Sequence, residues 1–297
     1  MDDVTDNVFR QVMLESGRPD VFFTEFANAD GLVHGANGIP LRKLNFTLNQ
    51  HPIVAQIWGT DPANMEKAAK MVANLGFDGI DINMGCPVRE VVKKGAGAGL
   101  IGEYELAGEL IAAVKDGAGG LPLSIKTRLG KNENIAESWI TFLLKQNIAA
   151  LTVHARIARQ MSKGKADWDE IGKIVKIKES ISPKTLIIGN GDIKTYSEVL
   201  QMYKKYGVDG VMIGRGVFAN PWVFKKDEVQ LKYLKQDYIN LLRVHMDLFE
   251  KVWGESKNFE IIKKFFKMYV KGFPGANQLR IKMMEAKNFN EVREILN

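Results

Sequence analysis

The 297-residue sequence holds one cysteine, Cys86, and has no long apolar run, no low-complexity tract and no repeat beyond an alternation of short strands and helices. A single thiol cannot build a disulfide framework or a Cys-rich zinc site, so no metal site is read from the sequence, and one thiol fits a reducing cytoplasm. No stretch approaches the ~18 uncharged apolar residues that a membrane-spanning helix requires, so no membrane partner is expected. The opening Met1-Asp2-Asp3 is acidic with no apolar run behind it, so no signal peptide is expected there. Apolar residues make up 45% and charged residues 26%, ordinary values for a globular chain and wrong for a disordered one.

Excess charge is also scarce over most of the chain. Residues 1–224 carry 26 Lys and Arg against 25 Asp and Glu, whereas residues 225–297 carry 15 against 10. Nearly all of the net +6 therefore lies in the last quarter. A basic segment attached to a neutral one points to a polyanionic partner, because clustered cations gain from counterion release. The plainer reading is a solvated, Lys-rich helical surface.

The first 224 residues alternate β-rich runs with amphipathic stretches. Strands are expected at Val21–Glu25, Ile53–Ile57, Gly79–Asn83, Leu123–Thr127, Ala150–His154, Thr185–Gly189 and Gly210–Gly214. Helices are expected at Pro62–Leu75, Tyr104–Lys115, Ile135–Gln146, Trp168–Ser180 and Tyr196–Tyr206. Such alternation implies a buried parallel sheet, and seven units in this length fit a (β/α)8 TIM barrel better than an open sheet. Asp6–Ser16 reads as a helix with no strand before it. The chain is therefore expected to begin inside the first βα loop, with the first barrel strand absent and the natural product longer.

After about Asp227 no strand pattern remains. Tyr233–Trp253, Asn258–Gly272, Ala276–Ala286 and Asn290–Leu296 read as helices, which gives a catalytic barrel at 1–226 and an all-helical domain at 227–297. That domain interleaves Lys263, Lys264, Lys267, Lys271, Arg280 and Lys282 with Phe265, Phe266, Tyr269 and Phe273.

Barrels place function at the C-terminal ends of their strands. Those ends offer Glu25, Gln56, Asn83 with Cys86, Lys126 with Arg128, His154 with Arg156, Asn190 with Asp192, and Gly214 with Arg215. Each alone could be a cap or surface group; their convergence on one mouth is the signal. The last two ends, Gly189-Asn190-Gly191-Asp192 and Gly214-Arg215-Gly216, suit a phosphate-bearing ligand, since glycine lets backbone N–H groups approach an anion. Cys86 reads as a small buried hydrophobe, a latent nucleophile or a general acid, because a thiol of ordinary pKa, about 8.5, is protonated at neutral pH.

Taken together, these motifs resemble the tRNA-dihydrouridine synthase family of flavoproteins. The resemblance runs in order from Val4-Thr5-Asp6 and Phe9-Arg10 through Thr24-Glu25, Ala55-Gln56-Ile57 with Gly59, and Asn83-Met84-Gly85-Cys86-Pro87. It continues through Gly95-Ala96-Gly97-Ala98, Lys126-Thr127-Arg128-Leu129-Gly130, Thr152-Val153-His154-Ala155-Arg156 with Gln160, and Lys163-Gly164-Lys165-Ala166-Asp167-Trp168. It ends with Gly189-Asn190-Gly191-Asp192-Ile193, Met212-Ile213-Gly214-Arg215-Gly216, Asn220-Pro221-Trp222 and the tail motif Gly272-Phe273-Pro274-Gly275-Ala276. The family's Ala-Pro-Met loop is absent, Ser162 stands where an aromatic is usual, and Ala155 replaces a common Gly.

The resemblance implies reduction of uracil C5=C6 in tRNA, with FMN as cofactor and NADPH or NADH as reductant. It implies Cys86 as the proton donor to C5. It implies Gln56, Lys126, His154, Asn190, Gly191, Asp192, Gly214 and Arg215 as FMN contacts, and Asn83, Arg128, Arg156 and Gln160 as substrate contacts. Lys263, Lys264, Lys267 and Arg280 of the helical domain would grip the tRNA. No obligate protein partner is implied. Two other readings stand beside it: a flavin barrel reducing a free small-molecule alkene, which would have no need of a basic tail, and a non-catalytic tRNA-binding protein, which would have no need of Cys86, Lys126 and His154.

Overall fold

The computed structural model describes residues 1–35, 38–226 and 233–297. Seven strands form one sheet: β1 (Phe22–Asn28), β2 (Ile53–Trp58), β3 (Gly79–Met84), β4 (Leu123–Arg128), β5 (Ala150–His154), β6 (Leu186–Asn190) and β7 (Gly210–Met212). Their order follows the sequence and every neighbouring pair is parallel, as successive βα units of a barrel require.

The helices are α1 (Asn7–Ser16), α2 (Ala29–His34), α3 (Ile39–Lys43), α4 (Pro62–Asn74), α5 (Arg89–Lys93), α6 (Tyr104–Gly117), α7 (Ala136–Leu144), α8 (Trp168–Ile181) and α9 (Tyr196–Tyr206). They continue with α10 (Gly216–Ala219), α11 (Lys235–Trp253), α12 (Glu260–Lys263), α13 (Phe266–Tyr269), α14 (Ala276–Glu285) and α15 (Phe289–Leu296). All seven expected strands and the five expected barrel helices form, with ends shifted by a few residues. No described helix is long and apolar enough to cross a membrane.

The chain divides into two compact units. One comprises Met1–Asp6, Asp20–Ile193 and Ser197–Gly214; the other comprises Asn7–Pro19, Lys194–Tyr196 and Arg215–Asn297. The helix read at Asp6–Ser16 is α1, and it groups with the C-terminal helices. The domain boundary read at 226/227 meets residues 227–232, which lie outside the described residues.

In the first unit, strand alternation sorts residues onto two faces. Ala55, Ile80, Ile82, Ile125, Leu151, Val153 and Ile187 are buried on the face covered by helices. Trp139 of α7 donates its indole N–H to Thr127 Oγ1 on that face at 2.9 Å. The opposite face carries Gln56, Asp81, Asn83, Ser124, Lys126, Arg128, Thr152, His154 and Asn190 in adjacent register. An apolar outer face and a polar inner face are what a barrel wall needs when its interior holds chemistry.

Two sequence expectations need correction. β1 does not end at Glu25 but runs to Asn28, because a register irregularity between Phe23 and Phe26 lets the strand continue. Thr24 lies inside that irregularity and its Oγ1 accepts the Gln56 N–H at 3.0 Å. Asn258–Gly272 is not one helix. It breaks into the single turns α12 and α13, with bonds from Phe265 N to Ile262 O and from Met268 N to Phe265 O. Ile262, Phe265, Phe266, Met268, Tyr269 and Val270 are all buried, more than one helical face can present.

The second unit has its own core. Phe9 of α1 stacks on Phe265 with centroids 5.5 Å apart, and His245 of α11 shares a 2.7 Å hydrogen bond with the Tyr269 hydroxyl. Burial pushes the Tyr269 hydroxyl far above the ordinary tyrosine range, so it stays protonated and can donate to the imidazole.

Candidate active site

Cys86 lies just beyond β3 on a turn built from the strand itself. Asn83 Oδ1 accepts the N–H groups of Gly85 (3.1 Å) and Cys86 (2.9 Å), and the Cys86 carbonyl accepts the Ala98 N–H at 2.9 Å. Gly97 has a φ of +57°, and a Cβ there would fall 2.8 Å from the Cys86 carbonyl oxygen and 3.2 Å from its Cβ. Only glycine lets the Gly95–Gly99 loop close this tightly over the cysteine. The thiol is half-buried, and burial raises its pKa above the ordinary value, partly offset by a backbone hydrogen bond at Val88 and by Arg128. At neutral pH it is a thiol that can release a proton, not a resting thiolate.

Behind that turn runs a buried polar chain. Ser124 Oγ donates to Asp81 Oδ1 at 2.6 Å, and Gln56 Nε2 donates to Asp81 Oδ2 at 2.7 Å. Asn83 Nδ2 donates to Gln56 Oε1 at 2.8 Å. Gln56 and Asn83 were read as ligand contacts; the structure shows them bonded to each other as well. Asp81, fully buried, and Ser124 were missed. The available signal was an aspartate in the middle of an otherwise apolar strand. Burial pushes the Asp81 carboxyl up to about 6, against the lowering influence of Ser124, Gln56 and Lys126.

Lys126 lies opposite Asn83 on one side and Thr152 on the other. Its ammonium makes no hydrogen bond or ion pair among the described residues. Burial pushes it down to about 8, helped by the like charge of Arg128 and opposed by Asp81 and Cys86. A half-buried cation without an acceptor is costly, and an anionic ligand would relieve the cost.

The two strand-end arginines are taken up by the protein. Arg128 donates from Nε to the Gly85 carbonyl (2.8 Å) and from Nη1 to the Met161 carbonyl (2.9 Å), tying the Cys86 turn to the loop after β5. Arg156 is 2% exposed. It donates from Nη2 to the Gly164 carbonyl and Asp192 Oδ2, both at 2.6 Å, and from Nη1 to His154 Nε2 at 3.1 Å. That last contact makes His154 Nε2 an acceptor. Asp192 Oδ2 also accepts the Ala166 N–H at 2.8 Å. Gln160 Oε1 accepts the Ile157 N–H at 2.9 Å, and Asn190 Nδ2 donates to the Met212 carbonyl at 2.7 Å. Gly191, with φ +137°, lies against Ala166 and the His154 ring, and its carbonyl accepts the Trp168 indole N–H at 3.0 Å.

Gly214 closes the strand unit; Arg215 opens the helical one and is exposed. Within the helical unit, Lys263, Lys267 and Arg280 line one open groove of about 460 Å³ with Ile281 and Met284. Lys263 is held by the Met284 carbonyl and Glu260, and Arg280 by the Val270 carbonyl and Asn277. Lys264 and Lys267 are exposed.

Residues 1–297 match the family model described as Dihydrouridine synthase (Dus). A "Probable tRNA-dihydrouridine synthase 2" of Bacillus subtilis (strain 168) is 46% identical over 299 residues, covering 100% of this chain and 91% of the relative. A "Probable tRNA-dihydrouridine synthase" of Staphylococcus aureus (strain Mu50 / ATCC 700699) is 44% identical over 299 residues, covering 100% and 90%. Among solved structures, an old yellow enzyme homologue from Zymomonas mobilis superposes with a TM-score of 0.51 at 12% identity, covering 78% of this chain and 86% of that one. Morphinone reductase in complex with tetrahydroNAD gives 0.51 at 11% identity, covering 78% and 84%. These two likenesses show the fold.

Proposed function

The chain belongs to the dihydrouridine synthase family, and from that premise we propose that it reduces the C5=C6 bond of uridines in tRNA to 5,6-dihydrouridine. One observation carries the chemistry: the lone thiol is held on a clamped turn one strand away from a half-buried cation that has no acceptor among the described residues.

FMN fits this donor set. Among the described residues the Lys126 ammonium has no hydrogen-bond or ion-pair partner, and it stands on the sheet face that also carries Gln56, His154 and Asn190. These residues, with Gly191, Asp192 and Gly214, would hold it. Bound FMN, recharged by NADPH or NADH, supplies the hydride that no side chain can. The rest falls to the protein. Lys126 would neutralise negative charge on the bound group, and occupancy by an anion would restore its proton affinity. Cys86 Sγ holds a proton at neutral pH and delivers it to uracil C5 as negative charge builds there. Asn83 holds the thiol-bearing turn and reaches the pyrimidine. Arg128, Arg156 and Gln160 order the loops that frame the base. The target uridine leaves its stack to enter the barrel mouth. Lys263, Lys264, Lys267 and Arg280 meet the tRNA backbone, a charge-led and largely sequence-independent contact.

The test is mass spectrometry of tRNA from cells that lack the gene and then regain it. The reading predicts a gain of two hydrogens at defined uridines on return of the gene. Unchanged tRNA, with a free alkene reduced instead, would replace it with the small-molecule reading. A purified protein that binds tRNA and never takes up flavin would replace it with the non-catalytic one.

A further inference from the structure

The buried chain behind Cys86 has a direction. A carboxylate can only accept, so Asp81 obliges Gln56 to turn its nitrogen toward it. Gln56 must then present its oxygen to Asn83, and Asn83 its nitrogen to Gln56. That leaves the Asn83 oxygen for the N–H groups of Gly85 and Cys86, which need an acceptor. Reversing Gln56 would set its oxygen against the carboxylate and its nitrogen against the Asn83 nitrogen; reversing Asn83 would set its oxygen against the Gln56 oxygen and its nitrogen against both N–H groups. Ser124 secures the other Asp81 oxygen, so the carboxylate cannot rotate away.

A fully buried aspartate is an expensive way to fill a strand position, and a leucine would pack there without the cost. What the carboxylate provides is orientation. We propose that Asp81 is a positioning residue: acting through Gln56 and Asn83, it fixes the turn that presents the Cys86 thiol. The claim rests on the reading of Cys86 as the proton donor, and it concerns placement, not proton supply. No proton passes along the chain, because amide groups do not carry one at neutral pH.

Cys86 is the sole cysteine, so alkylation of the full-length protein reports on one sulfur. Wild type, Asp81→Leu, Asp81→Asn, Gln56→Leu and Ile82→Val would be treated with iodoacetamide from neutral to alkaline pH, with melting temperature measured in parallel. Ile82 lies on the helix-covered face of the same strand and controls for lost stability. Asp81→Leu frees the turn, so the thiol gains water, alkylates about fivefold faster at neutral pH and titrates at lower pH. Asp81→Asn stays within about twofold of wild type, since its oxygen can accept from Gln56 while its nitrogen donates to the Ser124 hydroxyl. Dihydrouridine formation by Asp81→Leu falls about tenfold in kcat with the KM for tRNA unchanged, the mark of misplacement and not of lost binding.

A folded Asp81→Leu with wild-type alkylation overturns the proposal. So does an equal shift in Ile82→Val. Should Asp81→Leu fail to fold, Gln56→Leu cuts the same chain one link later, and wild-type alkylation there overturns it equally. If wild type itself makes no dihydrouridine, the functional reading fails while the alkylation result still decides whether Asp81 governs the turn.

Discussion

Arg128 and Arg156, at the ends of β4 and β5, are buried and give their guanidinium protons to carbonyls of the Cys86 turn, to the loop after β5 and to Asp192. Lys264 and Lys267, on the helical unit, are exposed to solvent. The same type of charge therefore serves two purposes. In the strand unit these two arginines are braces that fix loops around the candidate site, and their worth lies in geometry. On the helical unit the exposed Lys264 and Lys267 would act as part of a field, by attraction at a distance. Lys126 differs from both arginines: among the described residues its ammonium makes no hydrogen bond or ion pair.

The largest effect that sharpens this contrast is on stability. Arg156→Met removes the buried partner of Asp192 and orphans the carbonyls of Lys163 and Gly164, which Arg156 Nε and Nη2 hold at 3.3 and 2.6 Å. Urea unfolding is expected to show a loss of about 3 kcal/mol. Because half-exposed Asp192 can rehydrate, the loss should stay at the lower end of the range for buried pairs. A loss near zero would break the contrast, since the arginine would then be no brace.

Next comes the field. Lys264→Glu with Lys267→Glu is expected to leave the melting temperature unchanged and to weaken tRNA binding roughly tenfold in low salt, flattening the salt dependence. Filter binding against ionic strength checks this. Equal weakening at all salt concentrations would contradict an electrostatic role.

Lys126→Met is expected to weaken FMN uptake several-fold, on the order of 1 kcal/mol, by flavin fluorescence titration. Unchanged uptake would mean that the half-buried ammonium does not meet the ring.

A pH dependence tests the buried carboxylate behind the Cys86 turn. Folding raises the Asp81 pKa from 3.8 to about 6, so the native state binds the proton more tightly than the unfolded chain. The contribution of Asp81 to stability therefore falls as pH rises through roughly 4 to 6, by about 3 kcal/mol at most. Asp81→Asn lacks this titration. Its melting temperature should gain on wild type between pH 4 and about 7, read by calorimetry. A constant difference across that window would show that burial does not penalise the carboxylate.

The strands were legible because β-branched runs such as Ile80–Ile82 and Ile187–Ile188 stand between turn signals, and Gly97 and Gly191 mark places where the chain passes close to its neighbours. The continuation of β1 past Glu25 was not legible, because a strand irregularity leaves no pattern of its own. The break in α12–α13 was hidden by apolar residues that satisfy a helical period while demanding burial on several faces. At the site, Cys86, Asn83 and Lys126 stood out by type and place. The partners did not. Nothing in the sequence says that Arg156 spends its protons on Asp192, or that Gln56 points at Asp81, since hydrogen bonds across 25 or more residues depend on register that only the folded sheet supplies.

The most direct measurement is dihydrouridine formation by the purified protein with FMN, NADPH and unmodified tRNA, comparing wild type with Cys86→Ala. The account predicts a product two hydrogens heavier from wild type and a rate reduced at least about 100-fold in the variant, with tRNA binding retained. Full-rate reduction by Cys86→Ala would contradict it.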